Sequence, residues 1–149
     1  MQKLWIWAID DKLDEKIIET FQEKVRAALA EWNAHQNPVS NKVSIYSKRF
    51  LIIEALSEVS GCSIDWLTRN IQTTAQEMNI PLADSASVFY KDNNGEIQKS
   101  HFSQIPKLLE EGILTPETII YDLTVAHTNQ LENFEAPLKA TWMNRYLKI

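Results

Sequence analysis

The chain has 149 residues, 44% hydrophobic and 23% charged, enough for one domain that buries a core without staples. Its net charge of −5 argues against a sequence-independent nucleic-acid binder, which needs a basic stripe to displace counterions, and against docking to an anionic membrane surface. One cysteine cannot close an internal disulfide, and neither a secretory leader nor a run of ~20 apolar residues is present, so a soluble cytoplasmic protein is expected.

Residues 3–9 (KLWIWAI) are apolar on both faces and predict a central strand. From Leu13 the period changes. Leu13, Ile17, Phe21, Val25, Leu29 and Trp32 then mark one face of a helix. Asp11 is placed to cap it, Asp14 adds negative charge to its first turn, and HQNPVSN at 35–41 ends it. Residues 42–58 read as strand material with FLIIEAL buried, and SKR at 47–49 is a turn or part of one long strand. A second helix carries Ile64, Leu67, Ile71, Ala75 and Met78 on its buried face, with Pro81 just beyond.

Residues 87–99 predict a hairpin turning on Asn94-Gly95, because that pair supplies the positive φ angles of a tight primed turn. A short helix follows, with Ser103 as cap, Pro106 in its first turn and Gly112 at its end. Residues 117–125 predict a strand. Leu131, Phe134, Leu138, Trp142 and Tyr146 then suggest a last helix with a break at Pro137. No repeat or low-complexity tract is visible. The order β-α-β-β-α-β-β-α-β-α predicts an α/β or α+β fold. It would be a single domain over 1–149, with helices on a mixed sheet of about five or six strands.

Residues 60–65 (SGCSID) hold the only cysteine where the second helix opens. With Ser63 as the cap, Cys62 would precede the helix and face its positive end, which favours a nucleophilic thiolate. Gly61 would let the backbone turn sharply and leave room for an anion. Asp65 favours the helix start but opposes a thiolate. Gly-x-Ser is also ordinary capping, and lone cysteines are mostly small buried hydrophobes. Arg69 lies seven positions after Cys62, one too many for a Cys-x5-Arg phosphate loop.

His35 follows Trp32 by three residues, which would put both on one helix face. It is the candidate base for Cys62. His35, His101 and His127 show no metal-ligand spacing, so neither metal nor cofactor is expected. Glycines at 61, 95 and 112 alone cannot build a nucleotide-phosphate loop. Asp10, Asp11 and Asp122 end predicted strands, where capping explains Asp11 better than catalysis does. Trp5, Trp7, Trp32, Trp66 and Trp142 suit a core, although Trp66 falls off the apolar stripe beside Cys62.

The combination LWIWAID, EWNAH, SGCSID and a terminal Trp142 resembles a small uncharacterised bacterial family whose members are often labelled ABC transporter ATPase. The resemblance departs at Gln36 and Trp66, where that family has Gly and Ser. It implies a shared fold and a shared site near Cys62. An ATPase of that class needs a Gly-rich loop with its Lys, which this chain lacks.

These residues favour a non-catalytic module binding a small ligand or a protein. Its site would gather Gly61, Ser63, Asp65, Trp66 and Trp32 around Cys62. The alternative is a thiol-dependent enzyme with Cys62 as nucleophile and His35 as base. Homo-oligomerisation through surface tryptophans is a third possibility.

Overall fold

The structure, a computed structural model, describes residues 2–147, and every strand pairing in it is antiparallel. The α+β class holds. The strands divide into three antiparallel sheets in place of one mixed sheet. Three of the six strand pairings among the described residues are tight hairpins between sequence neighbours, which can only be antiparallel. The chain forms two compact units, residues 2–83 with Ala126–Asn129, and Asp84–Val125 with residues 130–147.

The first unit contains β1 (Leu4–Ala8), α1 (Glu15–Leu29), β2 (Asn33–Ala34), β3 (Asn37–Pro38), β4 (Asn41–Tyr46), β5 (Phe50–Ala55) and α2 (Gly61–Glu77). Its main sheet runs β1-β5-β4, so β5 is the central strand and all six of its residues are buried. Leu51, Ile53 and Ala55 pack with Ile18, Phe21, Val25 and Leu29 of α1 and with Leu67, Ile71 and Ala75 of α2. β1 flanks β5 and is not central. Its outer edge is nonetheless engaged at both ends. The Leu4 amide donates to the Ala126 carbonyl at 3.0 Å, Thr128 N–H to the Gln2 carbonyl at 3.0 Å, and Ala83 N–H to the Ala8 carbonyl at 2.9 Å. That pairing explains an apolar run on a flanking strand.

Asp14, not Asp11, caps α1, its carboxylate accepting from the Lys16 amide. Ile18 is buried and Ile17 is 42% exposed, because the buried face runs through 18, 21, 25 and 29. The helix ends at Leu29, earlier than the sequence suggests. A two-residue turn of His35 and Gln36, at φ 51° and 68°, then joins β2 to β3. Ser47 and Lys48, at φ 53° and 59°, make a similar turn between β4 and β5, and Arg49 N–H donates to the Tyr46 carbonyl. Both turns need the left-handed region, and neither contains glycine.

The second unit holds β6 (Ser87–Lys91), β7 (Ile97–His101), α3 (Ile105–Glu110), β8 (Ile119–Tyr121) and β9 (Glu135–Pro137), with sheet order β7-β6-β8-β9. Val88, Tyr90, Ile105, Leu114, Ile120, Leu138 and Met143 form its core. The expected β6–β7 hairpin is present, but its turn differs. Only Gly95 has positive φ, and Asp92 closes the loop by accepting from the amides of Asn94 and Glu96. His101, not Ser103, accepts at the turn of 3-10 helix leading into α3, and Gly112 at φ +75° follows its end.

The expected C-terminal helix is replaced by β9 and short 3-10 turns at Leu138–Ala140 and Trp142–Tyr146. Pro137 has no N–H to continue a helix, but an edge strand tolerates it.

Candidate functional site

The start of α2 is built by two serines. Ser60 is the cap: its Oγ accepts from the Ser63 amide at 3.2 Å. Ser63 answers reciprocally, its Oγ accepting from the Ser60 amide at 2.7 Å and donating to the Ser60 carbonyl at 2.8 Å. This is a capping box with serine in place of the usual Glu or Gln. The helix therefore begins three residues earlier than a Ser63 cap would give. Gly61 and Cys62 lie inside its first turn, and Asp65 lies beyond that turn, which contains no acidic residue.

This placement changes what each candidate can do. Cys62 is exposed, not sealed in apolar side chains. Gly61 does not provide a sharp turn, and a methyl group added there would meet nothing within 4 Å. Ser63 is 2% exposed, and its hydroxyl is committed to the cap. Asp65 is exposed, while Trp66 is half-buried against the helical core. Trp32 is fully buried. Its indole Nε1–H donates to the Ser63 carbonyl at 2.8 Å, and its ring meets Trp5 edge-on at 5.9 Å. Trp32, expected at a binding surface, is instead a buried support for the turn.

His35 is exposed on the β2–β3 turn in the left-handed region and does not share a helix face with Trp32. No hydrogen bond joins it to Cys62 among the described residues. Among those residues no group of three or more His, Cys, Asp or Glu converges as a metal would require. No helix of the described residues is long and apolar enough to cross a membrane.

The chain just ahead of the cap supplies what sequence reasoning missed. Gln2, Lys3, Ala55, Leu56, Ser57, Glu58 and Val59 line a surface depression of about 270 Å³. Its floor is tied to the sheet. Ala55 N–H donates to the Lys3 carbonyl at 2.9 Å, and Leu56 N–H to the Ser40 carbonyl at 2.7 Å. The Ser57 hydroxyl accepts from the Ser40 amide. Leu56 is 43% exposed, Lys3 and Glu58 bring opposite charges, and Val59 leads into Ser60. The signal available was the mismatch of LSEVS with either a strand or a helix period. Nearby, Thr128 Oγ1 is buried without a hydrogen-bond partner, while the Thr128 amide binds the Gln2 carbonyl.

No protein-family model, curated protein or solved structure matches the chain.

Proposed function

We propose that this chain is a non-catalytic, cytoplasmic binding module. Its site combines the depression at residues 2–3 and 55–59 with the exposed first turn of α2. The observation that supports this reading is the depression lined by Gln2, Lys3 and residues 55–59, whose last residue, Val59, precedes the cap Ser60 in the chain. Its volume of about 270 Å³ falls just under the ~300–1,000 Å³ of drug-sized pockets. A small molecule, or one side chain of a protein partner, suits it. Exposed Leu56 supplies apolar contact, and Lys3 and Glu58 supply orientation. The family resemblance carried by residues 61–65 belongs to the same proposal and adds a shared site without a reaction.

The thiol-enzyme alternative rests on the exposure of Cys62 in the first turn of a long helix. The sequence candidate for its base, His35, makes no hydrogen bond to Cys62 among the described residues. The deciding experiment screens thiol-enzyme substrates against wild type and Cys62→Ser and follows the urea unfolding of both. The binding reading expects no thiol-enzyme substrate to be turned over and Cys62→Ser to retain its fold. Turnover by wild type that disappears in Cys62→Ser would replace it with the enzyme reading.

A further inference from the structure

We draw no further inference here: the strongest candidate, the outer edge of β4, where the Val43 carbonyl accepts from Gln22 Nε2, carries nothing because nothing in the structure shows what covers it.

Discussion

The Trp32 indole N–H reaches the Ser63 carbonyl across 31 residues of sequence, and both residues are buried. This bond fastens the segment after α1 to the first turn of α2. Trp32→Phe keeps an aromatic ring against Trp5 but removes the donor. A neutral buried hydrogen bond contributes about 0.5–1.5 kcal/mol, and the smaller ring adds a packing loss. We expect a total cost of about 1–3 kcal/mol, read as a lower urea midpoint with unchanged slope. An unaltered midpoint would show that the bond does not hold the turn.

Gly61 gives a cleaner test of whether the first turn of α2 must stay open. A methyl there meets nothing, and alanine is the better helix former. Gly61→Ala should therefore stabilise the protein by about 0.5 kcal/mol. Ser60→Ala, which removes the cap acceptor, should destabilise it by about 1 kcal/mol. Thermal melts of the two variants should shift in opposite directions. A destabilised Gly61→Ala would mean that the start of α2 is more crowded than its geometry indicates.

The Ser47-Lys48 turn sets two small effects against each other. Both residues occupy the left-handed region, which Asn and Gly adopt with less strain. Replacing Lys48 also deletes its 3.8 Å contact with Glu15, but both side chains are more than half exposed. Such a surface pair is worth under about 0.5 kcal/mol, whereas relieving backbone strain at two positions is worth about 1 kcal/mol or more. The Ser47→Asn, Lys48→Gly double variant should gain stability, measured as a raised urea midpoint. A loss would show that the contact with Glu15 outweighs the strain.

Asp92 predicts an acid limb for the hairpin of β6 and β7. Its carboxyl is held below its ordinary value of 3.8, chiefly by the Gln98 side-chain amide, then by the Glu96 amide, with the Asn94 amide adding to them. A group whose folded pKa is depressed stabilises the fold above its unfolded value. That contribution disappears as pH falls through the folded value. NMR titration should place Asp92 below its ordinary value of 3.8, and Asp92→Asn should flatten the stability curve below about pH 4. An Asp92 that titrates at its ordinary value would remove the effect.

The elements legible in the sequence were those whose own residues decide them. FLIIEA reads as a buried strand because every one of its positions is buried. α2 reads as a helix because Leu67, Ile71 and Ala75 repeat at helical spacing. Strand partners were not legible, since an apolar run does not say which neighbour it meets, and β1 looked central for that reason. The β2–β3 hairpin was hidden because His35 and Gln36 make its turn without glycine. The C-terminal apolar spacing is compatible with 3-10 turns as well as with an α-helix, and only Pro137 hinted at the difference.

The site divided in the same way. The bond from Trp32 to the Ser63 carbonyl lies across sequence and had no local signature. Ser60 and Ser63 are both good caps in isolation. The choice between them fell to the reciprocal pair of hydrogen bonds. The depression ahead of the cap depends on Lys3 and Ala55 meeting across the sheet, which no spacing rule reveals.

Residues Ala126–Asn129 complete the first unit although the chain departs from it after Ala83. A ribosome delivers the chain from its N-terminus at roughly 5–20 residues per second. β1 therefore waits some seconds for the carbonyl of Ala126 and the amide of Thr128. During that interval its outer edge offers open backbone groups to any strand nearby. The order of synthesis and the order of assembly cannot coincide, and the last stitch of the first unit is made only after most of the second has emerged.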